Sequence, residues 1–245
     1  MVAASAIASA TSSTAPRVQR QDAFALQSHR RAVAAMQAGR FEAEITPIET
    51  PQGRVAVDEC PRPRTSLELL ARSRPAFVPG GTVTAGNSCP LNDGAAVVVV
   101  TSRALARRLG CREVLGFVDA AAAGVDPKLL GVGPIASTRR LLLRRPDLDL
   151  AALEAIEFNE AFASQVLASL DALGIDPAAV NRDGGAIALG HPYGASGAIL
   201  VTRLFSQLIG EPMPEGSGRG LAMVGIAGGL GITALFERIR DVQLR

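Results

Sequence analysis

Five glycines and one of the chain's two histidines crowd into a single stretch, Asn181-Arg-Asp-Gly-Gly-Ala-Ile-Ala-Leu-Gly-His-Pro-Tyr-Gly-Ala-Ser-Gly. Glycines let backbone approach a ligand closely, and the start of the helix that follows presents unpaired N–H groups to an anion or a polarised carbonyl. Such a site could stabilise a negative oxygen. Taken by itself, the stretch reads more readily as a tight loop around a satisfied His191. It has a companion in Phe158-Asn-Glu-Ala-Phe, where Asn159 and Glu160 fall at the junction of a strand end and a helix start, the place where open α/β sheets gather ligands. An amide and an imidazole on two such junctions could hold one water or one carbonyl oxygen between them. A third glycine-rich turn, Val224-Gly-Ile-Ala-Gly-Gly-Leu-Gly, follows another strand pattern. None of the three fits a dinucleotide fingerprint or a triphosphate loop with its lysine.

The elements that must carry these junctions can be read from periodicity. Strands are predicted over 115–118, 155–158, 221–226 and 233–237, with helices over 135–144, 161–173 and 196–208 between them. That alternation argues for a layered α/β fold. Ala95-Ala-Val-Val-Val-Val, a β-branched run, reads as a further strand buried on both faces, with a helix over 103–109 after it. Upstream, a helix over 21–37 closes at Gly39. Phe41 to Ile48 alternates like an edge strand, and Thr65 with Glu68 has capping-box spacing for a helix over 67–72.

Composition narrows the class. The chain has 245 residues, 48% hydrophobic and 20% charged, with mean hydropathy +0.24, 4% aromatic residues and no Trp. That balance excludes a disordered chain, a collagen-like fibre and a small disulfide scaffold, and it builds the interior from Ala, Val, Leu and Gly. Basic residues number 25 against 23 acidic ones, Lys128 being the only lysine. They are spread along the chain rather than clustered with aromatics, which argues against nucleic acid as a partner. Cys60, Cys89 and Cys111 form neither a disulfide framework nor metal-ligand spacing, so no metal is expected and a reducing, cytoplasmic compartment is. No apolar run reaches the roughly 18–20 residues of a membrane helix. Residues 1–17, rich in Ala, Ser and Thr, read as a disordered leader rather than a transit peptide.

Asn159-Glu-Ala-Phe, Gly184-Gly-Ala-Ile-Ala-Leu-Gly-His-Pro and the Gly220 to Gly231 turn resemble the three C-terminal signatures of the thiolases, the acyl-CoA C-acyltransferases. Gln21-Asp-Ala-Phe-Ala-Leu-Gln-Ser-His, Thr82-Val-Thr-Ala-Gly-Asn and Leu91-Asn-Asp-Gly-Ala-Ala agree as well, so the resemblance runs from about Val18 to Arg238 in family order. It implies a thiolase-like layered αβα fold, with one core half over 91–245 and the end of the loop domain over 18–90. It also implies chemistry in which a cysteine thiolate takes an acyl group from one CoA ester while a second thioester is cleaved or condensed. His191 and Asn159 fall at the positions that activate the nucleophile and polarise a thioester oxygen. Ala227 falls where a backbone N–H serves an oxyanion hole. Arg62 falls where relatives contact the nucleotide end of CoA, and Ser88 and Cys89 where backbone lines the pantetheine tunnel. Coenzyme A thioesters are then substrates, with no tightly bound cofactor. His29 reads as structural. Asn87-Ser-Cys-Pro-Leu-Asn-Asp-Gly resembles the degradative 3-ketoacyl-CoA branch, which belongs to fatty acid metabolism.

Two departures set the expected activity. The nucleophilic cysteine of the family belongs to a first half that this sequence is expected to lack, and Cys60, Cys89 and Cys111 sit in none of its contexts. The family's acid/base cysteine falls at Gly225, which has no proton to exchange. The expectation is therefore a truncated acyltransferase, inactive alone. The alternatives are a subunit that complements a separate N-terminal half and a non-catalytic protein that binds CoA or an interaction partner. An exposed half-interface would favour a homo-oligomer or that missing half as partner.

Overall fold

The computed structural model describes residues 18–210, 218–240 and 242; the expected leader at 1–17 lies outside them. Helix α1 (Val18–Gln37) opens the described chain, followed by a small hairpin of β1 (Ile48–Thr50) and β2 (Gly53–Val55) and the short helices α2 (Leu67–Ala71) and α3 (Arg103–Arg108). The remainder alternates as expected: β3 (Val114–Gly124), α4 (Gly133–Arg144), β4 (Ala155–Phe158), α5 (Ala163–Leu173), α6 (Ala186–Leu189), α7 (Ser196–Leu208), β5 (Arg219–Ile226) and β6 (Leu230–Ile239).

Strand order is β3-β6-β5-β4, with β4 parallel to β5 and the other two pairs antiparallel. Side-chain alternation divides the sheet between two helical layers. Ile156, Phe158, Leu221, Met223 and Leu235 face one way and bury themselves with Leu141 of α4 and Val166, Leu167 and Leu170 of α5, behind which Phe24, Ala25 and Leu26 of α1 join the same core. Ala155, Ala222 and Phe236 face the other way and meet Leu200, Leu204 and Leu208 of α7. The result is the expected αβα sandwich.

Three local readings are corrected. The run at 95–100 is not a strand. Residues 91–100 form no regular element, and Val97, Val99 and Val100 are 87%, 86% and 89% exposed. β-Branched residues favour extended backbone, but a strand needs a neighbour, and the sheet order places none beside this run among the described residues. Phe41 to Glu44 is a turn. The Arg203 guanidinium lies 4.6 Å from the Phe41 ring centroid and also pairs with Glu44, which draws residues of opposite strand parity to one partner. The cap of α2 is Ser66, whose Oγ accepts from the Leu69 N–H at 3.3 Å, rather than Thr65.

Candidate active site

Parallel pairing of β4 with β5 sets both carboxyl ends on one edge of the sheet. Phe158 sits opposite Met223, and the Asn159 N–H donates to the Met223 carbonyl at 2.9 Å. Asn159 and Glu160 therefore leave the sheet beside Val224 and Gly225. Outside β4 lies Asn181, held at φ 49°. Its Oδ1 accepts from the Phe158 N–H at 2.7 Å and its Nδ2 donates to the Phe158 carbonyl at 2.8 Å, so one amide side chain stands in for a neighbouring strand.

Glu160 ties this edge to the histidine loop. Its buried carboxyl accepts from Asn181 Nδ2 at 2.7 Å, from Ser28 Oγ of α1 at 2.7 Å and from the Ile187 N–H of α6 at 3.1 Å. Burial pushes its pKa up and these donors oppose the shift. Gly185 is pressed against the same carboxyl, and no Cβ would fit there.

The loop then delivers His191 to Asn159. Asn159 Nδ2 and His191 Nε2 lie 3.2 Å apart, and His191 Nδ1 lies 2.6 Å from Ser196 Oγ at the start of α7. The backbone N–H of His191 donates to Asn92 Oδ1 at 2.8 Å. Gly190, at φ 101°, packs flush on the Asn92 side chain, a close approach that requires glycine. Burial holds the His191 pKa below its ordinary value, which keeps the ring neutral near pH 7. A cavity of about 20 Å³ is bordered by Asn159, Ser196, Glu157 and Arg203, room for one water.

The remaining expected site residues divide. Ser88 and Cys89 are laced to the residues just after Glu160: Ser88 bridges Phe162, and the Cys89 N–H donates to the Ala161 carbonyl at 3.1 Å. Burial pushes the Cys89 thiol up, and the Cys60 thiol likewise, so neither is an activated thiolate. Gly225 is the last residue but one of β5, at the same edge as Asn159, and Ala227 is exposed in the 227–229 turn beyond it; no hydrogen bond joins either to the His191–Asn159 pair among the described residues. Arg62 is exposed, and its backbone N–H donates to His29 Nδ1 at 3.2 Å. His29 is buried, its pKa pushed down to about 4 by burial and then by the Arg62 charge, in keeping with a structural part.

Four residues escaped the functional reading of the sequence. Ser28 and Asn92 lie 132 and 99 residues from the groups they hold, beyond the reach of spacing. Asn181 and Ser196 stand inside the glycine-rich stretch, where Asn181's tolerance of positive φ and Ser196's place at a helix start were the available signals.

Comparison with known proteins agrees with this geometry. Residues 1–104 match the thiolase N-terminal domain and residues 112–238 the thiolase C-terminal domain. An acetyl-CoA acetyltransferase of Pseudomonas aeruginosa is 46% identical over 226 residues, covering 90% of this chain and 56% of that protein. A beta-ketoadipyl-CoA thiolase of the same organism is 47% identical over 226 residues, covering 89% of this chain and 55% of its own. The crystal structure of the Bacillus anthracis acetyl-CoA acetyltransferase superposes with a TM-score of 0.86 at 35% identity, covering 97% of this chain and 59% of that one. The chain thus spans about half the length of the curated relatives it matches. No helix among the described residues is long and apolar enough to cross a membrane. With matched domains along its sequence and an Asn159–His191 pair at the carboxyl edge of an αβα sandwich, the chain belongs to the thiolase family.

Proposed function

We propose that this chain binds a CoA thioester and polarises its carbonyl oxygen between Asn159 and His191, and that it does not turn over acyl groups by itself. The observation that carries this reading is the 3.2 Å Asn159–His191 contact, with a neutral ring whose nearest partners are an amide and a hydroxyl rather than a sulfur. A neutral Nε2 can take the proton of a thiol. Once protonated, Nε2–H and an Asn159 N–H are two donors side by side, aimed at one oxygen or at a water between them. Acyl transfer also needs a thiolate to attack the acyl carbon and expel the CoA sulfur or the enolate. Cys60 and Cys89 are raised rather than activated, and Gly225 can exchange no proton. In this reading Ser88, Cys89 and the backbone of Ala227 line the pantetheine and oxyanion positions, and exposed Arg62 meets the nucleotide end.

The test pairs binding with turnover. Calorimetry with acetyl-CoA should give heat, with an affinity that falls about tenfold in Asn159→Ala, the effect of one hydrogen bond, while acetoacetyl-CoA plus CoA is not consumed. Turnover by the purified chain would overturn the dependence on a second thiol. Absence of any binding would overturn the CoA reading itself.

A second reading is favoured by the exposed valines at 97, 99 and 100. A subunit carrying the rest of a thiolase and its reactive cysteine would cover them and complete an active acyltransferase. Tagged chain should then co-purify with a protein whose cysteine is rapidly alkylated by iodoacetamide; recovery of the chain alone from its native cell would sink this version.

A further inference from the structure

We infer that Ser196 is the positioning residue of His191, its hydroxyl holding Nδ1 so that the neutral ring keeps its proton there and turns a free Nε2 lone pair toward Asn159. The inference rests on the reading above only in taking Nε2 as the working atom; the proton's place can be measured without any CoA ester.

The two ring nitrogens have chemically different neighbours. Nε2 faces the amide nitrogen of Asn159, which can only donate, so Nε2 must accept. The single proton of the neutral ring then belongs on Nδ1, and Ser196 Oγ at 2.6 Å is the acceptor it meets. A serine at a helix start ordinarily spends its oxygen on an orphan backbone N–H. Here the turn at 193–195 precedes α7, the cap position is Ala195, and no side chain caps the helix. Ser196 is buried and its hydroxyl is directed at the imidazole instead. The backbone of His191 is independently fixed by Asn92, so Ser196 sets the ring rather than the loop. A hydroxyl also suits a working histidine, because it accepts from Nδ1–H in both the neutral and the doubly protonated ring.

His29 supplies an internal contrast. Its Nδ1 accepts the Arg62 N–H, so its proton sits on Nε2, the opposite tautomer. These are the chain's two histidines, and nitrogen-15 long-range correlation spectra at pH 7 would resolve both rings. In the wild type, His191 should show a protonated Nδ1 and a bare Nε2, and His29 the reverse. Ser196→Ala should shift the His191 tautomer ratio toward Nε2–H by about fivefold or more, the effect of one neutral hydrogen bond, with His29 unmoved. Ser196→Thr, which keeps the hydroxyl, should restore the wild-type pattern. A wild-type His191 protonated on Nε2 would overturn the inference even if the alanine variant failed to fold, as would an alanine variant whose His191 signals match the wild type.

Discussion

Removing the Glu160 carboxyl should loosen the active-site loop and the fold together. Three donors converge on this group: Asn181 Nδ2 at 2.7 Å, Ser28 Oγ at 2.7 Å and the Ile187 N–H at 3.1 Å. A buried donor left without an acceptor costs about 1–3 kcal/mol. Glu160→Ala strands all three. Relief from burying a carboxyl, visible in its raised pKa, returns part of that. A net loss of about 3 kcal/mol or more is expected, a large share of the roughly 5–15 kcal/mol that holds a domain together. Glu160→Gln should fall between. Its amide oxygen can serve Ser28 and Ile187, but its NH₂ then faces Asn181 Nδ2, which cannot turn because Phe158 fixes both ends of that amide. One conflict gives about 1–3 kcal/mol. Urea unfolding provides the order of the three proteins, and amide exchange at Ile187 locates the effect. An alanine variant within about 1 kcal/mol of the wild type, a loss no greater than one ordinary hydrogen bond, would refute the view that this carboxyl organises the site, as would a glutamine variant less stable than the alanine.

Other expectations follow from the same geometry. Gly185→Ala would drive a methyl into the Glu160 carboxyl and should cost about 1–3 kcal/mol in urea unfolding; a neutral result would mean that the Ser28–Glu160–Ile187 cluster gives way freely. Burial raises the Glu157 pKa to about 8 from 4.5, so the folded state favours its neutral acid. Stability from this group is fully present below pH 4.5 and is lost as pH rises through about 8. Melting temperature should fall between about pH 5 and 8, and Glu157→Gln should flatten that fall; an equal slope in both proteins would contradict the assignment. Val97→Asp with Val99→Asp should reduce self-association seen by light scattering, because the pair places charge on an apolar run that none of the described residues covers; an unchanged mass in both proteins would show the run to be inert.

Much of the site was legible because its signals are local. Asn159-Glu-Ala-Phe announces a strand passing into a helix, and the glycines before His191 announce backbone forced close to something. β4 and α7 were read to the residue, since alternation and the serine at a helix start fix them directly. Two kinds of information were hidden. Pairing across the chain was one, because Ser28 meets Glu160 across 132 residues and no periodicity encodes that. The other was context: four consecutive valines state a preference for extended backbone, but whether a neighbouring strand exists is a property of the sheet and not of the run. Phe41 to Glu44 failed for a related reason, since an alternating pattern cannot show that one arginine will attract both an aromatic ring and a carboxylate.

The central claim is that Asn159 and His191 together polarise a thioester oxygen. Infrared difference spectroscopy with acetyl-CoA labelled at the thioester carbonyl tests it without requiring turnover. Hydrogen bonds to that oxygen lower its stretching frequency, so the bound carbonyl band should move below its position in solution. The shift should shrink in Asn159→Ala, and in His191→Ala once the pH is low enough to place a second proton on Nε2, since the neutral ring offers only a lone pair there. A bound carbonyl at its solution frequency, or a shift that survives both substitutions, would contradict the account.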